Sequence, residues 1–273
     1  MKLSGIGIAT YHTRVESWEC DFNHHWNARY YARSFQLAAE RIAILGTDEN
    51  PGARVIESRV VRFHRELFVG TAVEVRSARI ADGAYQGAII HFLSAEGMLA
   101  ATALDLPGRG SHALPAADTA TVEIALPRTL ASQSVTWDPD APDARVIETG
   151  TVRPTEFDHA GAFLMEEQVR RATAGLHYQL SDLGFTTEFT ARTGIGRMAV
   201  ENRITPLGPC APGAVVIVKS RISGVRSKSF SSVHWLETHL GVPIAVFENV
   251  VLAVDLKSRR AVGVPEFLRT LQL

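Results

Sequence analysis

The chain has 273 residues, 46% of them hydrophobic and 21% charged, with a formal net charge of −1 and a pI near 6.8. This composition belongs to a folded globular chain, and its balanced charge lacks the basic footprint of a protein that rides on phosphate backbones. Two cysteines, Cys20 and Cys210, cannot build a disulfide framework, so a reducing, cytoplasmic setting is expected. The N-terminal MKLSGIGIATYHTRVE has no apolar run suited to a signal peptide. The most apolar later stretch, residues 242–256, is interrupted by Glu248 and Asn249, so no segment is expected to span a bilayer.

In chain order, the first extended run is Thr13-Arg14-Val15, followed by the polar segment Glu19-Cys20-Asp21-Phe22-Asn23-His24-His25. Tyr31, Phe35, Ala38, Ile42 and Leu45 then recur at steps of three and four, ahead of Gly46. That spacing predicts a helix with one apolar stripe, ended by glycine. Val69-Gly70-Thr71-Ala72-Val73-Glu74-Val75 and Ile89-Ile90-His91-Phe92-Leu93 read as strands; a turn at Gly97 and a run ending at Asp105-Leu106 follow. A boundary is expected near residues 128–146, where Trp137-Asp138-Pro139-Asp140-Ala141-Pro142-Asp143 has linker composition.

The second half repeats this order. Gly150-Thr151-Val152 precedes Glu156-Phe157-Asp158, and Asp158 lies 137 positions after Asp21. Val169, Thr173, Leu176, Leu180 and Leu183 form the second stripe, ahead of Gly184. Pro212-Gly213-Ala214-Val215-Val216-Ile217-Val218 and Ser232-Val233-His234-Trp235-Leu236 match the two strands; Gly241 and Asp255-Leu256 close the pattern. Repeated in one order, these elements predict an α+β chain of two similar domains, residues 1–135 and 136–273, each with one long helix against an antiparallel sheet.

Residues 21–27, just before the first helix, hold one carboxylate, two amides and two imidazoles. A helix N-terminus polarises a carbonyl placed against it, and a neighbouring Asp or His can orient water or move a proton. Taken alone, Asp21 is also a good helix cap. Adjacent His24 and His25 have no evident third ligand, so no metal is expected, and no cofactor either. His91 and His234 read as core or sheet residues, and Cys20 as a small hydrophobe.

Asp-x-Asn-x-His-x-Asn followed by Tyr, carried here by Asp21, Asn23, His25, Asn27 and Tyr31, resembles the central motif of the hot-dog thioesterases. That family includes the 4-hydroxybenzoyl-CoA thioesterase-like group and the acyl-ACP thioesterases. The resemblance implies a double hot-dog: two antiparallel sheets, each wrapping a long central helix, as a pseudo-dimer in one chain. It implies hydrolysis of an acyl thioester carried on CoA or acyl carrier protein. Asp21, Asn23, His25 and Glu66 would be catalytic, with Glu66 taken from a later strand; Asn27 and Tyr31 would contact substrate. Asp21, with Glu66, would activate water or attack directly, and His25 and Asn23 would orient the water or the carboxylate. Asp158 and His159 mark a second site, but Ala160, Ala162 and Leu164 replace Asn23, His25 and Asn27, so a degenerate copy is the favoured reading. In the acyl-ACP thioesterases the intact motif sits in the second half, a departure that argues against simple orthology. Arg203, Arg221, Arg226 and Lys228 could meet CoA phosphates. Other open readings are a hydratase or dehydratase of the same fold, disfavoured because His25 stands four residues after Asp21 instead of five, and a non-catalytic acyl-ligand-binding module. A third is a biosynthetic partner protein whose halves only pack. Neither nucleic acid nor membrane is an expected partner; an oligomer of pseudo-dimers remains open.

Overall fold

The computed structural model describes residues 5–21, 24–45, 56–106, 113–130 and 141–271. The chain divides into two compact units, Met1–Arg128 and Thr129–Leu273. The backbone N–H groups of Thr129 and Leu130 donate to the Glu201 carboxylate, at 2.7 and 3.0 Å, so the start of the second unit is tied to that unit's own sheet.

The first unit runs β1 (Ile8–Arg14), α1 (Ala28–Leu45), β2 (Ser58–Phe63), β3 (Ala72–Ile80), β4 (Ile89–Ala95), β5 (Met98–Leu106), β6 (Ala116–Ala117) and α2 (Thr119–Val122). Five strands pair antiparallel in the order β1-β3-β4-β5-β2, and β6 adds a short parallel bridge to β3. The second unit runs β7 (Arg145–Thr151), α3 (Met165–Asp182), α4 (Thr187–Thr193), β8 (Ile195–Pro206), β9 (Val215–Val225), β10 (Ser229–Thr238), β11 (Pro243–Asp255), β12 (Arg260–Ala261) and α5 (Glu266–Arg269). Its strands pair antiparallel as β7-β9-β10-β11-β8, with β12 against β11. Numbered within its own unit, each sheet has the same order: first, third, fourth, fifth, second.

The apolar stripes read from the sequence face the sheets. Tyr31, Phe35, Ala38 and Ile42 are buried on α1; Val169, Leu176 and Leu180 are buried on α3. The valine, leucine, isoleucine and phenylalanine side chains among them each contribute about 1.5–3 kcal/mol by leaving water. Helix α3 lies tight against its sheet at Gly175, where a Cβ would come 2.3 Å from Ser220 Oγ; the matching position of α1 holds Ala38. Gly46 and the residues at 131–140 expected to form the linker lie outside the described residues.

A polar seam crosses each sheet beneath its helix. In the first unit Ser77 Oγ lies 2.7 Å from both Thr10 Oγ1 and His91 Nδ1, His91 Nε2 lies 3.2 Å from Asp105 Oδ2, and Arg59 grips Asp105 through Nε and Nη2 at 2.6 and 2.7 Å. The series places one residue on each of β1, β3, β4, β5 and β2, all buried. Burial alone would raise the Asp105 carboxyl, but the Arg59 charge and hydrogen bonds, helped by His91, hold it well below the usual range. In the second unit His234 Nδ1 meets Ser220 Oγ at 2.7 Å and its Nε2 meets Ser232 Oγ at 2.9 Å. With hydroxyls on both sides and no carboxylate, burial pushes His234 down to about 3.

Two outcomes follow from these seams. Arg59→Met leaves the Asp105 carboxylate buried without its main partner, and Asp105→Asn leaves the Arg59 guanidinium buried without a carboxylate, so each is expected to destabilise the first unit by about 3–5 kcal/mol, read from denaturant midpoints. His234 stays neutral in the folded chain but takes a proton below its ordinary 6.5 when unfolded. Its contribution is therefore present above pH 6.5 and drains away as the pH falls toward 3. His64, lowered to about 4 mainly by burial, adds to the same slope. Thermal midpoints should fall between pH 6.5 and 4, and His234→Gln should flatten part of that fall.

Candidate active site

The loop ahead of α1 is built around one carboxylate. Asp21 N–H donates to His25 O at 2.8 Å, His24 N–H to Asp21 O at 3.0 Å, and His25 N–H to Asp21 Oδ1 at 3.1 Å. The tight reversal needs a left-handed residue, supplied by His24 with φ +63°. Asn27 N–H then donates to Glu19 O, and the Asn27 carboxamide oxygen accepts from Arg29 N–H at 3.0 Å. Asn27, and not Asp21, thus caps the helix in the usual manner. Glu19 holds the base of the loop: its carboxylate accepts the Trp26 indole N–H at 2.8 Å and Arg33 Nη1 at 3.2 Å.

The segment after β2 closes over this loop. His64 and Arg65 N–H both donate to Ala100 O, and Trp26 N–H donates to Leu67 O. These bonds bring Glu66 to His25, with Nδ1 3.2 Å from Glu66 Oε1. Both side chains keep some contact with solvent, 14% for His25 and 25% for Glu66, and the Phe68 ring stands edge-on to the imidazole at 5.2 Å. Glu66 therefore sits in the loop between β2 and β3, not within a strand as the sequence suggested, because β2 ends at Phe63 where pairing with β5 stops. A carboxylate can only accept, so its proximity selects the tautomer with the proton on Nδ1, making Nε2 the basic nitrogen of neutral His25.

Asp21, His25 and Glu66 are thus gathered in one place. Asn23 lies outside the described residues. Tyr31 is 3% exposed and packs between Trp26, tilted at 4.5 Å, and Phe63, edge-on at 5.3 Å, with burial raising its phenol far above the usual value. It is a core residue behind the loop. No acidic residue occupies the first turn of α1, so the positive end of the helix dipole is not neutralised there.

The second unit repeats the loop backbone bond for bond. Asp158 N–H donates to Ala162 O, Gly161 N–H to Asp158 O, Ala162 N–H to Asp158 Oδ1 and Leu164 N–H to Glu156 O. Gly161, at φ +81°, fills the left-handed place of His24. Arg170 pairs with Glu156 as Arg33 does with Glu19. The closing segment also repeats: Leu207 and Gly208 N–H donate to Ile244 O as His64 and Arg65 do to Ala100 O, and Gly213 N–H donates to Val152 O as Gly70 does to Val15 O. These matches align Glu66 with Pro209 and His25 with Ala162. Asp158 Oδ1 already accepts from both Ala160 and Ala162 N–H. His159 is exposed and stands three residues ahead of Ala162, the place that matches His25, and the first turn of α3 carries Glu166 and Glu167. Imidazole and second carboxylate are thus assembled in the first unit alone.

Several charged residues take structural places. Arg203 is buried against Glu248, and Arg221 pairs with Asp143 at 3.5 Å, so neither presents an uncommitted charge to a phosphate. Sequence reading missed the Ser77-His91-Asp105-Arg59 seam, whose members become neighbours only through strand pairing; the one available signal was a His repeated in both predicted strands. Among the described residues, no three His, Cys, Asp or Glu side chains are grouped to hold a metal ion, and no helix is long and apolar enough to cross a membrane.

Residues 152–271 match the model of the thioesterase-like superfamily. No curated protein matches the sequence. Among solved structures, a protein described as an oleoyl thioesterase from Lactobacillus plantarum superposes with a TM-score of 0.63 at 11% identity, over 93% of this chain and 99% of its own. A 12:0-ACP thioesterase from Umbellularia californica gives 0.59 at 11% identity, covering 91% and 95%. An acyl-ACP thioesterase from Bacteroides thetaiotaomicron gives 0.55 at 11% identity, covering 92% and 100%. The chain therefore shares the fold of these proteins along nearly its whole length. Its superfamily match lies in the unit whose loop lacks the imidazole and second carboxylate.

The pairing of His24 with Gly161 makes a prediction. His24→Gly removes a Cβ from a left-handed position that costs most residues about 1–2 kcal/mol, offset by the greater freedom of glycine when unfolded. Thermal stability should be unchanged or slightly raised, and any activity lost with His25→Ala should survive in His24→Gly.

Proposed function

We propose that this protein is an acyl thioesterase, hydrolysing a thioester carried on CoA or acyl carrier protein at a single site in its first unit. The observation that carries the reading is the assembly of Asp21, His25 and Glu66 at the foot of α1, against Asp158, Ala162 and Pro209 at the matching places of the second unit. The named activities of proteins with this fold, and the superfamily match, support the same chemistry.

In this reading the thioester carbonyl lies at the N-terminal end of α1, where peptide dipoles stabilise the charge that develops on its oxygen. Glu66 holds His25 in the tautomer whose Nε2 accepts a proton. Asp21 closes the loop on His25 and shares in activating water, with Asn23 as a further orienting group. Attack on the acyl carbon breaks the C–S bond; the acid and the free thiol leave. Asn27 and Tyr31 act from behind the site, Asn27 by capping α1 and Tyr31 by fixing Trp26. The two units, Met1–Arg128 and Thr129–Leu273, are read as tandem hot-dog domains, a pseudo-dimer within one chain. The second domain is a scaffold, and the setting is cytoplasmic.

A panel of acyl-CoA and acyl-carrier-protein substrates, assayed for thiol release, tests the assignment. Asp21→Asn, His25→Ala and Glu66→Gln should each lower kcat/KM by about 10²–10⁴-fold, while Asp158→Asn leaves it within a few-fold. Full turnover in Asp21→Asn would sink the site, and water addition to an enoyl thioester would favour a hydratase. A single turnover in H₂¹⁸O reads the mechanism: label in the first product supports activated water, and unlabelled product points to attack by the carboxylate itself.

A further inference from the structure

Arg197, on β8, differs from the other inward-facing arginines of its unit. Arg171 is held by Glu156 and Arg203 by Glu248, each a carboxylate close to the guanidinium. Among the described residues no carboxylate reaches Arg197. Its side chain makes one hydrogen bond, from Nη2 to His177 Nδ1 on α3 at 3.2 Å, and its guanidinium lies 5.0 Å from the Phe185 ring centre. Burial alone lowers its basicity, to about 10, with no neighbouring charge to restore it. None of its nitrogens is both sealed from solvent and without a partner, so the N–H groups not donated to His177 reach solvent.

A cation taken partly out of water, without a counter-charge but with accessible donors, gains from meeting an anion there. The chemistry of the guanidinium and the imidazole narrows the choice. A planar guanidinium offers two parallel N–H groups to one edge of a tetrahedral oxyanion, and an imidazole 3.2 Å away can serve another of its oxygens. A carboxylate has only two oxygens and satisfies the fork alone. Phe185 backs the site with a surface that excludes water from one face of the guanidinium.

We propose that Arg197 and His177 form a subsite for a phosphate group on the second unit. Free phosphate and the phosphate of a thioester's pantetheine or nucleotide portion share this chemistry. The subsite does not depend on the catalytic assignment, because binding can be read in a protein that turns nothing over.

The test uses full-length Asp21→Asn protein, with calorimetric titration of inorganic phosphate, 4′-phosphopantetheine, CoA and, as a planar control, acetate. The His177 ring resonances are followed by NMR in the same titrations. Phosphate-bearing probes should bind and shift the His177 signals, with acetate at least tenfold weaker. Arg197→Gln should weaken binding at least tenfold. Tighter binding of 4′-phosphopantetheine or CoA than of phosphate identifies a substrate arm, and equal binding identifies the free anion. Absence of any phosphate-dependent shift at His177, acetate binding as well as phosphate, or full binding in a folded Arg197→Gln protein would overturn the proposal. Should Arg197→Gln fail to fold, the His177 shifts in the protein with Arg197 intact decide alone.

Discussion

A carboxylate that accepts the N–H four residues ahead of it sets the geometry of both units. At Asp21 and again at Asp158, that bond turns the chain back on itself and releases it into a long helix. The turn demands a left-handed residue at its fourth position, met by His24 at some conformational cost and by Gly161 at little. Glu19 and Glu156 then pin the base of each loop through an arginine one turn into the helix proper. The closing segment after the second strand is placed by its own pair of N–H groups on one carbonyl. Only with all three in place can a side chain from that segment reach the loop.

On this shared frame the two units carry different chemistry. Replacing imidazole by Ala162 and carboxylate by Pro209 costs the frame nothing, because the hydrogen bonds that build it come from the backbone and from Asp158. The same freedom shows at the helix starts: the first turn of α3 carries Glu166 and Glu167, which oppose an electron-rich ligand, while that of α1 has no acidic residue. The superfamily match falls on the second unit. A framework and an equipped site are separable properties of this fold.

The sheets follow the same division. Both units place a serine of the third strand against a histidine of the fourth at 2.7 Å, under the helix. In the first unit a carboxylate and an arginine extend the seam and keep a full ion pair buried; in the second, hydroxyls end it and the histidine is held neutral. One solution relies on compensated charge, the other on avoided charge, and the two respond to acid in different pH ranges.

Local sequence determined the elements and their repetition. The stripes at Tyr31, Phe35, Ala38 and Ile42 and at Val169, Leu176 and Leu180 follow from a 3.6-residue period, which any apolar helix on a sheet must show. The offset between Asp21 and Asp158 is local information of the same kind. The backbone adds what spacing does not show: His24 is spent on the turn, and His25 is the imidazole that faces Glu66. Tertiary structure decided what depends on hydrogen bonds between distant segments. That Glu66 faces His25 rests on Trp26 bonding Leu67 and on Arg65 bonding Ala100, and neither bond leaves a trace in the residue types involved. Tyr31 read as a substrate contact because its place in a motif is visible and its burial between Trp26 and Phe63 is not. Arg197 was passed over for the same reason. An arginine without a carboxylate looks like any other in a sequence, and only the fold shows which ones have been drawn out of water without a counter-charge.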